Sequence, residues 1–139
     1  MILLDTNVIS EMMRPSPSQM VRSWLNARDT ATLFVSSITQ AELEHGWRIL
    51  PEGRRKATLS TQVDQVFGVF FLGRVLGFDG AAARAYGEVK AARKLSGRPI
   101  ADFDAQIASI ARIENLALAT RNVRDFEALG LTLINPFDA

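Results

Sequence analysis

Met1-Ile2-Leu3-Leu4-Asp5-Thr6-Asn7 opens the chain with an unbroken apolar run that stops at three polar residues. An apolar run without alternation reads as a strand covered on both faces, the usual state of a strand in a parallel sheet. Working outward from it, similar short runs recur at residues 33–35, 75–78, 116–119 and 131–134. Longer, helix-like stretches separate them. Residues 18–28 carry Met20, Val21, Trp24 and Leu25 at helical spacing, and Ser36 or Ser37 can cap a helix that Pro51 ends near Leu50. Residues 52–72 read as a further helix, basic at Arg54, Arg55 and Lys56 and apolar at Val63, Val66, Phe67 and Phe70. Residues 79–96 place Ala82, Tyr86, Val89 and Ala92 on one stripe, stopped by Gly97. A helix over 102–114 and a short one over 123–129, closed by Gly130, complete the series. Strands alternating with helices predict an α/β fold: a central parallel sheet of about five short strands with helices on both faces, in one domain across residues 1–139.

Composition narrows the chemistry. The 139 residues are 47% hydrophobic and 22% charged, as in a folded domain. Lys plus Arg number 16 and Asp plus Glu 15, for a net charge of +1, so bulk charge selects no partner. The absence of cysteine removes disulfides, zinc-thiolate sites and iron–sulfur clusters, and a single histidine, His45, removes multi-histidine metal sites. No Gly-x-Ser-x-Gly elbow, Walker motif or Gly-x-Gly-x-x-Gly loop is present. No signal peptide or bilayer-spanning run is evident, since the longest apolar stretch, near 66–72, is broken by Gly68. A cytoplasmic protein is expected.

What remains is carboxylate chemistry. In open α/β sheets the site lies beyond the carboxyl ends of the strands. That rim receives Asp5 after the first strand and Glu42 in the helix leaving the second. It also receives Asp104 near the start of the helix leading into the fourth, and Thr120, Arg121, Asn122 and Asp125 after that strand. Carboxylates gathered on one rim repel one another unless a cation intervenes. Mg²⁺ or Mn²⁺, which prefer oxygen ligands and keep several waters, would resolve the conflict and support metal-dependent hydrolysis of a phosphodiester. Asp102 competes with Asp104; it suits an N-cap after Pro99, Ile100 and Ala101, whereas Asp104 sits in the first turn, where the helix dipole favours its ionised form. Glu44 reads as a solvated residue facing away from Glu42, and His45 as a surface or packing residue.

Four segments together carry a resemblance: Asp5-Thr6-Asn7, the Thr39 to Gly46 stretch containing Glu42, the Asp104 to Ala108 helix start, and Ala119 to Phe126. Taken in this order, the chain resembles a PIN-domain ribonuclease, and in particular the VapC/FitB-type toxins of bacterial type II toxin–antitoxin pairs. The resemblance implies a three-layer PIN-like domain. It also implies that Asp5, Glu42 and Asp104 bind Mg²⁺ or Mn²⁺, with Asp125 as a fourth acid, either ligand or supporting group. Many PIN domains carry an acid where this chain has Asn122, which leaves the fourth carboxylate and a second metal open. Thr6, Asn7, Thr120, Arg121, Asn122 and Arg98 are the candidate supporting and substrate-contacting residues. Among them Arg98 and Arg121, in rim loops, are the candidates for phosphate contact.

The same resemblance implies an endoribonuclease toxin with an RNA substrate, a small cognate antitoxin, and a homodimer that can enter a larger toxin–antitoxin assembly, with no membrane partner. Two other functions fit the residues: a catalytically silent PIN-like module that binds RNA or protein, and a housekeeping RNA-processing nuclease without an antitoxin. Lys90, Arg93 and Lys94 on one helix, and the Arg54-Arg55-Lys56 cluster, could bring a nucleic acid to the rim, although each reads first as part of a solvated face. Trp24, Trp47, Phe67, Phe70 and Phe71 read first as core, with an excess that could line a groove for a partner helix.

Overall fold

In a computed structural model, which describes residues 1–138, β1 (Ile2–Leu4) is the middle strand of a five-stranded parallel sheet. The strand order is β3-β2-β1-β4-β5, formed with β2 (Leu33–Ser36), β3 (Val75–Leu76), β4 (Ala117–Ala119) and β5 (Leu133–Ile134). Leu3 and Leu4 are both fully buried, but into different layers. Leu3 packs with Val89, Ile107, Ile110 and Phe126, whereas Leu4 packs with Val8, Val21, Trp24, Val63 and Phe71. This double covering is why β1 reads as a continuous apolar run.

Six α-helices supply the layers among the described residues: α1 (Thr6–Met12), α2 (Gln19–Asn26), α3 (Ser37–Arg48), α4 (Arg54–Gln65), α5 (Gly80–Leu95) and α6 (Asp102–Ile113). Register sets the rim. Leu4 pairs with Val35 on one side and Ala119 on the other, so Asp5, Ser36 and Thr120 follow at one level of the carboxyl edge. The order of strands reverses between β1 and β4, the switch point at which such sheets form their crevices.

Several expectations need correction. The helix foreseen over 52–72 stops at Gln65 and passes into a π-helical turn at Val66–Phe70, where Phe71 N donates to Val66 O at 2.8 Å. The wider turn lets Phe67 and Phe71 both enter the core while Phe70 stays 52% exposed. On α5 the inward stripe is Ala82, Ala85, Val89 and Arg93; Ala92 faces out and Arg93, foreseen as solvated, is buried. Asp102 is not the cap of α6. That position belongs to Ala101, and Asp102, one residue inside, instead accepts from Lys90 Nζ at 2.8 Å and Tyr86 OH at 3.2 Å. The stretch at 123–129 is only a 3-10 turn at Val123–Phe126, and the last three strands are shorter than the apolar runs that announced them.

Candidate functional site

Asp5 ends β1 and caps α1, and both roles leave its carboxylate at the rim. It is 4% exposed, so its oxygens need partners. Oδ1 accepts from Thr6 N at 2.8 Å, and Oδ2 accepts from Thr120 Oγ1 at 2.7 Å and Asn7 Nδ2 at 3.2 Å. Thr120, itself fully buried, accepts in turn from Asn122 N at 3.0 Å and Asn7 Nδ2 at 3.3 Å. Asn7 Oδ1 takes Arg121 N at 3.1 Å, which settles the orientation of its amide. The segment after β4 is therefore stitched to the segment after β1 through three side chains.

Glu42 is held by a second relay. A hydroxyl has one proton to give. Thr6 Oγ1 donates its proton to Glu42 Oε1 at 2.7 Å, so the 2.9 Å contact between the Thr6 and Thr39 hydroxyls is donated by Thr39. Ser36 Oγ donates to Thr39 Oγ1 at 3.4 Å while accepting from Thr39 N at 3.1 Å as the cap of α3. The sequence marked Ser36 as a candidate cap and Thr39 as the start of the Glu42 stretch, but gave neither a role in the site. Their signal was present, because a serine three residues before a threonine is a capping arrangement, and Thr39 and Glu42 share a helix face.

Asp104 lies in the first turn of α6, aimed at the same cleft. Its carboxyl is pushed up to about 6, first by burial and then by the charges of Asp5, Asp125 and Glu42. The helix N-terminus, expected to favour the anion, is outweighed by those two effects. Burial also raises Asp5 and Glu42 above the ordinary carboxylate range, against the hydrogen bonds that lower them. Each of these acids thus resists ionisation while the site holds no compensating cation.

These acids line a cleft of about 910 Å³ with Thr6, Asn7, Arg121 and Asn122. Arg55, from the basic cluster, and Trp47, a groove candidate, also line it, as do Arg14, Leu43, Leu59 and Val63, which the sequence did not mark as part of a site. Glu11, buried beside the cleft, accepts from Ser18 N at 2.8 Å and pairs with Arg14 at 3.2 Å; the Ser18 N–H holds its carboxyl below the usual range. Arg121 projects over the ring of Phe137 at 4.1 Å. Two expected members fall elsewhere. Asp125 lies outside the cleft lining with an exposed side chain, although its charge reaches Asp5 and Asp104. Arg98 turns away to the Arg124 carbonyl, at 3.1 Å, and Glu127, at 3.7 Å, so its charge is spent on the neighbouring turn. Glu44 is not free either, since it accepts from Trp47 Nε1 at 3.0 Å and pairs with Arg48 at 3.2 Å.

Among the described residues no three acidic or histidine side chains form a ready-made metal cage. The donor set nevertheless suits a hard divalent ion. It consists of carboxylate oxygens, raised in pKa by burial and then by their mutual field, in a cleft roomy enough for the waters that Mg²⁺ and Mn²⁺ retain.

Comparison with known proteins places this geometry in context. A family model described as PIN domain matches residues 2–130. The chain is 40% identical over 138 residues to "VapC ribonuclease Y4jK" of Sinorhizobium fredii, covering 99% of each chain. It is 39% identical over 137 residues to "Toxin FitB" of Neisseria gonorrhoeae, again covering 99% of each. Among solved structures, "FitAcB from Neisseria gonorrhoeae" superposes with a TM-score of 0.93 at 38% identity, covering 100% of both chains.

Proposed function

Since the chain belongs to the PIN-domain family, we propose that it is a Mg²⁺- or Mn²⁺-dependent endoribonuclease, the toxin of a type II toxin–antitoxin pair. The observation that carries this reading is the convergence of Asp5, Glu42 and Asp104 on one cleft, with Asp104 raised to about 6 by burial and by its acidic neighbours. A cation relieves that repulsion, and bound there it supplies an activated water and stabilises charge on a phosphoryl oxygen. Asp5, Glu42 and Asp104 are the residues that would hold it.

The chain's own side chains do the rest. Thr120, Asn7 and the Thr6 N–H fix the Asp5 carboxylate, and the Ser36–Thr39–Thr6 relay fixes Glu42. Asp104 holds a proton below about pH 6 and would have to give it up to ligate an ion. Arg55 and Arg121 line the cleft and offer charge to the phosphates flanking the scissile bond, whereas Arg14 beside them is paired with Glu11. Arg98, engaged with the 124–127 segment, is left out of that role. Asp125 acts at a distance, through its field on Asp5 and Asp104.

A ribonuclease name and a toxin name among the full-length relatives support the activity, and the solved relatives, FitAB and VapBC toxin–antitoxin complexes, support a small antitoxin as partner. No helix of the described residues is long and apolar enough to cross a membrane; a cytoplasmic homodimer in one domain is the form we propose. Incubating the purified protein with RNA and Mn²⁺ or Mg²⁺ tests the assignment. Cleavage should require the ion and disappear in Asp5→Asn, Glu42→Gln and Asp104→Asn, each still folded. Cleavage that persists in EDTA refutes metal dependence. A folded protein that binds RNA with the ion present and leaves it intact is instead the silent module that Asn122, standing where many PIN domains have an acid, would favour.

A further inference from the structure

Arg93 projects from the last turn of α5 into the protein and is 6% exposed. Nη2 donates to Asp125 O at 2.6 Å and Glu127 O at 3.0 Å, and Nη1 donates to Arg98 O at 3.3 Å. Its partners are main-chain carbonyls; it forms no ion pair with a carboxylate among the described residues, and its Nε, also buried, has no acceptor. Desolvating a guanidinium on these terms is expensive, and an apolar side chain would fill the same space at lower cost. The bonds beyond it show what the charge holds. Asp125 N donates to Asn122 O at 3.0 Å, Asn122 N to Thr120 Oγ1 at 3.0 Å, and Thr120 Oγ1 to Asp5 Oδ2 at 2.7 Å. A continuous hydrogen-bonded strut runs from the buried arginine to the carboxylate at the centre of the cleft.

We infer that Arg93 is a positioning residue for the acidic centre, anchoring through the Val123–Phe126 turn the Thr120 hydroxyl that aims Asp5. The strut explains why a charge is kept under this turn. A single 3-10 turn leaves its last carbonyls without helical partners, and the planar fork of arginine supplies several bonds to them at once. It also places this residue outside the substrate path: Arg93 is shielded from the cleft and touches no group that lines it.

The inference rests on the metal-centre reading above, so its test measures ion binding and main-chain order as well as cleavage. Arg93→Met retains the apolar stem without donors, Arg93→Lys restores a single cationic donor, and Val89→Ala, one turn earlier in the core of α5, lowers stability without touching the strut. Mn²⁺ affinity measured by calorimetry should fall about tenfold in Arg93→Met, the usual cost of losing a support behind a ligand. It should recover in part in Arg93→Lys and stay within about twofold of the parent in Val89→Ala, the size of change expected away from the ligands. Amide exchange at Asn122 and Asp125 should quicken in Arg93→Met more than in Val89→Ala, and the Mn²⁺ requirement for cleavage should rise with KM for RNA unchanged. If Arg93→Met binds Mn²⁺ like the parent, or Val89→Ala weakens binding as much at equal loss of stability, Arg93 is only a fold-stabilising residue and the inference fails. If the parent itself binds no Mn²⁺, the metal reading falls, and the strut then stands or falls on the exchange rates at Asn122 and Asp125.

Discussion

Replacing Asp104 by Asn should stabilise the metal-free protein while destroying its activity. The carboxyl of Asp104 rises from 3.8 to about 6 on folding. A raised carboxyl is one whose ionised form the fold disfavours. Below about pH 4 the group is neutral in both folded and unfolded chains and costs nothing; above about pH 6 it is charged in both, and the folded state bears the whole penalty. At about 1.4 kcal/mol per pH unit, the difference amounts to ~3 kcal/mol. Asp104 is only half-buried, so water screens its neighbours and reduces the figure to about 1 kcal/mol. Asparagine keeps the size and polarity of the side chain without the charge. Urea unfolding in EDTA should therefore show Asp104→Asn more stable than the parent by about 1 kcal/mol near pH 8, a Tm gain of roughly 3 °C for a domain this size. Most of that gain should be gone near pH 4. A gain of equal size at both pH values would locate the effect in packing, and no gain near pH 8 would mean that neither burial nor the neighbouring charges penalise the carboxylate.

Mn²⁺ affinity should fall as pH drops through about 6, with a proton released on binding between pH 5 and 6.5, because a protonated Asp104 cannot ligate; calorimetry in buffers of different ionisation enthalpy reads the release directly. Thr120→Val removes the 2.7 Å donor to Asp5 and the acceptor of Asn122 N, so denaturant unfolding should show a loss of about 1–3 kcal/mol, and an unchanged midpoint would deny the relay. Asp102→Asn, which disturbs only an exposed pairing with Lys90 and Tyr86, should leave RNA cleavage at the parent rate; loss of cleavage there would transfer the ligand role from Asp104 to Asp102. Phe126→Ala, emptying a fully buried position beneath the turn that Arg93 holds, should cost about 3–5 kcal/mol in thermal or chemical unfolding.

The sheet was legible because its strands are covered on both sides, so that Ile2, Leu3 and Leu4 read without alternation. The carboxyl-edge rule then delivered Asp5, Glu42 and Asp104 to one rim from residues far apart in the chain. The hydroxyl relays were half legible: Thr6, Thr39 and Thr120 stood in the motifs, whereas Ser36 read only as a cap. Arg93 was hidden for a physical reason. Between Lys90 and Lys94 it looks like one more surface charge, and the carbonyls that accept it arrive from the 98, 125 and 127 positions, beyond any local pattern. Arg98 and Asp125 misled in the opposite sense. They sit near the right segments in sequence, but a short turn decides which way a side chain points, and here it directs Arg98 to Glu127 and leaves Asp125 exposed outside the cleft lining. Trp47 reads first as core, with a groove as the alternative, and it does both, packing against the core beneath α3 while lining the cleft.

The pairing of β1 with β4 joins segments far apart in the order of synthesis: Asn7 meets Thr120 across 113 positions. A nascent chain that has not yet delivered β4 has Asp5 at the end of a strand with one neighbour missing and no hydroxyl to aim its carboxylate. For a protein whose proposed work is severing RNA, the ribosome that makes it is the first RNA within reach. Because β4 lies next to β1, the aim of the Asp5 carboxylate waits on a hydroxyl 115 positions further along the chain, and a chain stopped before Thr120 lacks the donor that holds it.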